Sequence, residues 1–230
     1  MDFNKLSQIG LRARWNKAHH PVREHISLSH SGLKLEKARL LGFLMGDGCV
    51  TSKKSNTVSR HHDIRFYPDD LLLAKIFVRD FESLYLKTPI IKKMKNYFIV
   101  HASSKPAWED LMAITNFGSL EWSFPDNVLI SKAEKAEWLK AMFDCEGSVG
   151  KNRIQLQSVS GKGIESISLL LAEFGIKSSV CIYKRPNPKW NDNYVLSVCK
   201  ANLLNFLNEV GFNHPAKQEK LKHLADVPER

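Results

Sequence analysis

Two acids stand where a folded chain gains nothing from them. The segments Leu40-Leu41-Gly42-Phe43-Leu44-Met45-Gly46-Asp47-Gly48 and Leu139-Lys140-Ala141-Met142-Phe143-Asp144-Cys145-Glu146-Gly147 are apolar and helix-forming. Each closes on an acid followed by Gly, and Asp47 and Glu146 are 99 residues apart. An acid at a helix C-terminus opposes the helix dipole by about 0.3–1 kcal/mol. Each segment also carries small residues one turn apart: Gly42 and Gly46, then Ala141 and Cys145. Small residues at that spacing let two helices approach closely, because side-chain size sets the interaxial distance. Helices packed in that way would bring the two acids together, adding like-charge repulsion. A divalent cation offsets both penalties, since Mg²⁺ takes oxygen ligands, commonly one or two carboxylates plus waters and phosphate oxygens. Beside a phosphodiester, such a cation activates water and stabilises the leaving oxygen. Either acid alone reads as an ordinary helix-ending turn. The matched pair reads as a site.

The elements that must hold these acids recur in order. Hydrophobic spacing predicts a helix over Leu33–Gly46, with Leu35, Ala38, Leu41, Gly42 and Met45 on one face. Strands follow over Cys49–Lys54 and Asp63–Tyr67, then a helix over Asp69–Leu86. A hairpin spans Pro89–Lys93 and Tyr97–His101, and a third helix Lys105–Thr115. The same order then returns: a helix over Ser131–Cys145, strands over Ser148–Lys151 and Arg153–Ser158, and a helix over Lys162–Phe174. Strands over Ile176–Tyr183 and Tyr194–Cys199 flank a loop rich in Pro and Asn, and helices over Asn202–Val210 and Pro215–Leu224 end the chain. Each half reads α-β-β-α-β-β-α, a unit repeated once. The expected boundaries are a basic N-terminal extension over 1–32, a first repeat over 33–130 and a second over 131–230. A weaker match pairs Lys132 with Lys217, each in a short Lys- and Glu-containing helix start.

The charge has a shape that suits this arrangement. The 230 residues include 34 Lys and Arg against 24 Asp and Glu, a formal net charge of +10. Four stretches carry basic residues and no acid: 51–60, 87–105, 147–164 and 174–191. They coincide with strands and strand loops, which suggests a large polyanion as partner, because neutralising phosphates releases counterions. Apolar content of 43% and charged content of 25% exclude a disordered chain and allow a sizeable core. No apolar run approaches the roughly 20 residues of a membrane span, so no membrane role is expected. The first residues lack an apolar signal core, so a cytoplasmic protein is expected, or an organellar one if so encoded, and not a secreted one. Cys49, Cys145, Cys181 and Cys199 form no paired spacing and are expected to be reduced and mostly buried. His61-His62 and His19-His20 read as loop or surface residues without a metal role, and the tryptophans as core or interface anchors. Trp190, beside Lys189, is the exception and is a candidate for touching the polyanion.

The two acid-bearing segments resemble the two copies of the LAGLIDADG motif in single-chain, two-repeat homing endonucleases of the intron-encoded type. The resemblance runs from about Leu33 to the C-terminus. It implies an α+β fold: two pseudo-symmetric αββαββα halves whose antiparallel sheets form a DNA-binding saddle. It also implies hydrolysis of double-stranded DNA across the minor groove of a long asymmetric site, leaving short 3′ overhangs. Asp47 and Glu146 would hold Mg²⁺, with Gly46 and Cys145, which precede them, as further metal candidates. Mn²⁺ should substitute, and Ca²⁺ should bind without supporting cleavage. Lys217, its counterpart Lys132, and Gln157 would assist catalysis, with Gln155 and Ser158 as alternatives at the same strand end. Base contacts would come from Lys53, Arg60, Arg65, Lys92, Lys95, Arg153, Gln155, Gln157, Lys184 and Arg185. A monomer is expected, because the halves supply each other's two-fold partner.

Met45 departs from the motif where its first Asp falls, and Phe66-Tyr67-Pro68 offers no Gln or Asn at the first half's second strand end. The chain does not open on Cys or Ser and ends Pro228-Glu229-Arg230, so an intron-encoded protein is expected over an intein. Alternative functions are an RNA maturase acting on its host intron RNA and a non-cleaving DNA-binding regulator. Retention of both acids favours the nuclease.

Overall fold

The computed structural model describes residues 24–26, 34–54, 60–187 and 189–226. The order is α1 (Lys34–Asp47), β1 (Gly48–Lys54), β2 (Arg60–Phe66), α2 (Leu71–Tyr85), β3 (Ile90–Lys93), β4 (Phe98–Ser103) and α3 (Lys105–Ile114). It repeats as α4 (Lys132–Glu146), β5 (Gly147–Val149), β6 (Arg153–Ser158), α5 (Gly161–Glu173), β7 (Ser179–Tyr183), β8 (Asn193–Cys199), α6 (Leu203–Glu209) and α7 (Pro215–Ala225). Each repeat forms one antiparallel four-stranded sheet, ordered β1-β2-β4-β3 and β5-β6-β8-β7. Most of the expected extension lies outside the described residues. Its described turn, 24–26, seats Ile26 in the core and places His25 Nε2 2.7 Å from the Ser83 carbonyl oxygen.

The helices divide by what covers them. α2 buries one stripe, Leu73, Ala74, Phe77, Phe81, Leu84 and Tyr85, as expected for a helix lying on a sheet. α1 buries Leu40 through Met45 without interruption, and α4 buries Trp138, Leu139 and Ala141 through Asp144. The single face expected for α1 is therefore too narrow, and Leu35, placed on it, is 40% exposed. α1 and α4 pack against each other and run down the middle of the molecule, covered on the other sides by both sheets and their helices. Phe43 reaches Phe66, which stacks on Phe77, and Phe143 reaches Phe206, so each central helix anchors its own half's core.

Ion pairs tie the halves together. Arg39 of α1 donates from Nε to Asp80 at 2.7 Å and from Nη1 to Glu137 of α4 at 2.8 Å. Asp80 has no exposed surface, so its charge depends on this partner and on Arg79. Lys37, also buried, donates to Tyr85 at 3.0 Å and pairs with Asp110. Between the repeats, Trp122 fills the space left by Gly163, where an added Cβ would fall 2.4 Å from the indole.

The cysteines are free, but only two are partly buried. Cys181 and Cys199 are exposed, against expectation, because they stand on the outer face of the second sheet. No helix among the described residues is long and apolar enough to cross a membrane.

Candidate metal centre and nucleic-acid interface

Asp47 is the last residue of α1 and Glu146 the last of α4. The glycines that follow let the chain turn straight into a strand. A Cβ on Gly48 would lie 2.4 Å from Leu44 Cα, and one on Gly147 would lie 2.4 Å from the Phe143 carbonyl oxygen. Close approach requires them rather than left-handed backbone, since Gly147 has φ −81.

The helices meet through the small residues. A Cβ on Gly42 would lie 2.7 Å from Ala141 Cβ, and one on Gly46 2.5 Å from Cys145 Cβ. That contact brings the acids together. Burial, and after it the charge of Asp47, push the Glu146 carboxyl up to about 7 against the opposing charge of Lys217. Burial also raises Asp47, while Lys217 and the Cys145 thiol lower it and Asp69 adds to the rise. Two carboxyls held above their ordinary values and close enough to act on each other form a site that a cation would complete.

The donor set suits a metal that keeps much of its water. Among the described residues, no cluster of three or more His, Cys, Asp or Glu could cage an ion. Two carboxylates match the sparse protein ligation of Mg²⁺. Gly46 and Cys145 serve the helix contact. The Cys145 carbonyl accepts from Lys217 Nζ at 3.4 Å, and its thiol lies 4.0 Å from the Phe43 carbonyl.

This has a consequence for stability. The folded chain holds the Glu146 proton more tightly than the unfolded chain does, so without metal this group costs stability as pH rises from 4.5 through about 7. A cation held by the two acids would reverse that cost and would have to displace the proton. Saturating Mg²⁺ should therefore raise Tm by about 3–5 °C at pH 8 and by little at pH 6. Thermal melts with and without Mg²⁺ at both pH values check this, and an equal gain at both would contradict it.

Lys217 and Lys132 part company. Lys217 Nζ donates to the carbonyl oxygens of Asp144 and Cys145, beside the acids. Lys132 opens α4, about 20 Å of helix from Glu146. It pairs with Glu209 at 2.6 Å and lies over Phe174. The expected equivalence fails because α4 is itself the acid-bearing helix, so Lys132 sits at its wrong end. Gln157 and Ser158 line a pocket with Glu146, Gly46, Ser119 and Asn193, and Gln157 Oε1 accepts from Asn193 Nδ2 at 3.1 Å. Ser158 accepts from the Ser160 backbone at 3.1 Å. In the first half, the Tyr67 N–H donates to the Asp47 carbonyl at 3.0 Å, and Asp69 follows two residues later.

The outer faces of the sheets carry basic and amide side chains among apolar ones. In β6, Ile154 and Leu156 are buried, so Arg153, Gln155 and Gln157 point the other way, with Gln155 donating to Ser197 at 3.2 Å. In the first sheet Arg65, Tyr67, Ile90, Lys92, Ile99 and His101 line a shallow hollow. Arg65 pairs with Asp63 at 3.0 Å. Lys95, Lys184 and Arg185 are exposed in the strand loops, as is Trp190 at 60%. Lys53 stands opposite His61, in phase with Arg65, while Arg60 stands opposite Lys54, out of phase. The side chains of Lys53 and Arg60 lie outside the described residues. Tyr67, His101, Ser197 and Asn193 join these faces without having been expected, because strand alternation alone does not show which face is open.

Comparison with known proteins agrees with this geometry. Residues 133–211 match the model of the LAGLIDADG-like domain. The replication factor C small subunit of Thermococcus kodakarensis is 31% identical over 199 residues, 83% of this chain and 21% of that protein. The probable translation initiation factor IF-2 of Methanocaldococcus jannaschii is 29% identical over 195 residues, 80% of this chain and 16% of that protein. The chain thus spans about a fifth of these relatives. Among solved structures, I-DmoI in complex with DNA and Ca superposes with TM-score 0.66 at 16% identity, over 83% of this chain and 98% of that one. Residues 133–211 thus carry a LAGLIDADG-like domain, and the whole chain shares the two-repeat fold of the homing endonucleases I-DmoI and I-WcaI.

Proposed function

We propose that the chain is a divalent-metal-dependent, site-specific DNA endonuclease. The observation that carries the reading is the convergence of Asp47 and Glu146 between two sheets whose outer faces bear Arg65, Lys92, Arg153, Gln155 and Gln157. The sheets lie along the major groove, and the acids then meet the minor groove between them. Arg65, Lys92, Arg153, Gln155 and Gln157 contact base edges, and Lys95, Lys184 and Arg185 contact phosphates from the strand loops. Asp47 and Glu146 hold Mg²⁺, or Mn²⁺ in its place, which supplies an activated water and stabilises the leaving oxygen. Lys217 offsets negative charge beside the scissile phosphates, and Gln157, steadied by Asn193, orients water on the Glu146 side. Cuts on both strands across the minor groove leave short 3′ overhangs.

Two proteins with unrelated names share this segment as a minor part of their length. That distribution supports a mobile element, which a nuclease specific for its own insertion site would spread. Intact Asp47 and Glu146 set the nuclease above an RNA maturase or a silent DNA binder.

Incubation with a library of long duplexes, followed by sequencing of the ends, tests the reading. Mg²⁺ and Mn²⁺ should each yield one defined double-strand cut, and Ca²⁺ should yield bound but uncut DNA. A duplex that the protein binds tightly but leaves whole with both Mg²⁺ and Mn²⁺ would overturn it.

A further inference from the structure

Asp144 is the most deeply buried acid near the site, 1% exposed, and the function described so far does not use it. It belongs to α4, two residues before Glu146, yet its bonds reach across 69 and 70 positions. Its Oδ1 accepts from the backbone N–H groups of Asn213 and His214, both at 2.9 Å. Its Oδ2 accepts from Asn213 Nδ2, also at 2.9 Å. Those residues form the turn that opens α7, whose N-cap His214 makes no cap bond with its own side chain. Asp144 thus caps α7 from another helix, and a carboxylate is favoured at a helix N-terminus. Gln218 secures the far side of the turn, its Oε1 accepting from the Phe212 N–H at 2.8 Å.

Lys217 lies in the first turn of that capped helix, where its charge opposes the α7 dipole. Its Nζ reaches the Asp144 and Cys145 carbonyls at the C-terminal end of α4, where a cation is favoured. That reach starts from the first turn of α7, and Asp144 holds the two residues that precede it. The first repeat has no such device, since Met45 occupies the matching position and is buried.

We infer that Asp144 is a positioning residue that, by fixing Asn213 and His214, aims Lys217 at the centre formed by Asp47 and Glu146. Its part in cutting rests on the nuclease reading. Its part in placing Lys217 does not.

The test labels lysines of the intact protein with a small amine-reactive reagent, reading Lys217 against exposed Lys220. Asp144→Asn keeps an oxygen for the two backbone donors but sets two amides against each other. Asp144→Met installs the residue of the first repeat. Labelling of Lys217 should rise about threefold in Asp144→Asn and about tenfold or more in Asp144→Met, following the hydrogen bonds lost, with Lys220 unchanged. If Asp144→Met does not fold, Asp144→Asn alone carries the comparison. Unchanged Lys217 labelling in the folded variants overturns the inference and leaves Asp144 a staple between helices.

Cleavage gives the second readout. Asp144→Met should lower the single-turnover rate about tenfold or more while DNA affinity stays the same. Combining it with Lys217→Met should add nothing beyond the loss from Lys217→Met alone, because the first acts through the second. Additive losses would overturn the inference. A wild-type protein that cuts no duplex removes the nuclease reading, and the labelling still decides whether Asp144 places Lys217.

Discussion

Asp47→Asn and Glu146→Gln are each expected to lower cleavage by about 10³-fold or more, since a metal centre contributes several kcal/mol and each 1.36 kcal/mol is tenfold in rate. Neither variant should bind target DNA more than about threefold more weakly, because the sequence-independent part of affinity resides in the basic sheets and loops. The same substitutions should make the metal-free protein more stable. Both carboxyls are held above their ordinary values by burial, and Asp47 raises Glu146 further, so ionised acids strain the folded state at neutral pH. Asn and Gln keep the shape and remove the charge. A gain of about 2–4 °C in Tm at pH 8 without metal is expected, the size of a shift of ~1 kcal/mol in a chain of this length. Ordinary buried polar residues would lose stability on substitution. Loss of cutting together with lowered Tm would mean that the acids hold up the fold and not a metal. Gel-shift, single-turnover cleavage and metal-free melts on the two variants separate the cases.

The fold was legible because its signals are local. Period-two strands with turn residues between them, and helices with a clear stripe such as α2, fall within a few residues of their observed bounds. Asp47 and Glu146 were legible for the opposite reason, since an acid followed by Gly at the end of an apolar helix makes no local sense. What could not be read was partnership across the chain. Lys132 and Lys217 occupy similar local sequences, yet one begins the acid-bearing helix and the other ends beside the acids. Only the packing of α7 on α4 distinguishes them. Asp144 carried a usable signal, an acid among Ala141, Met142 and Phe143 that must find donors when buried. Its partners, some seventy residues away, carried none. Cys181 and Cys199 misled for a related reason. Cysteine is usually an interior residue, but here it occupies a face that stays open toward the proposed DNA.

The helix contact that joins the acids can be tested by exchanging its small residues. Helix propensity alone says that Gly46→Ala should stabilise α1 by about 1 kcal/mol. The close approach says the reverse. The new Cβ would meet Cys145 Cβ at 2.5 Å and Sγ at 3.0 Å, in a central pair with cores packed around it. Overpacking of this kind costs about 1–3 kcal/mol, occasionally more, which less the helix gain leaves a net loss of up to about 2 kcal/mol and a fall in Tm of up to about 8 °C. The acids sit one residue beyond the clash, so cutting should fall more steeply than stability. Everything Gly46 would strike within 3.0 Å is the Cys145 side chain. Adding Cys145→Gly should therefore restore most of the loss, a coupling of about 1–2 kcal/mol. At the crossing one turn earlier the outcome differs. Gly42→Ala would strike Ala141 Cβ and the Trp138 carbonyl oxygen, each at 2.7 Å. Ala141→Gly removes the first obstacle and leaves the second, so that exchange should recover only part of the stability. Equal recovery at both crossings would mean that the helices slide apart freely. The spacing of Asp47 and Glu146 would then be set by the sheets and not by the small residues between them.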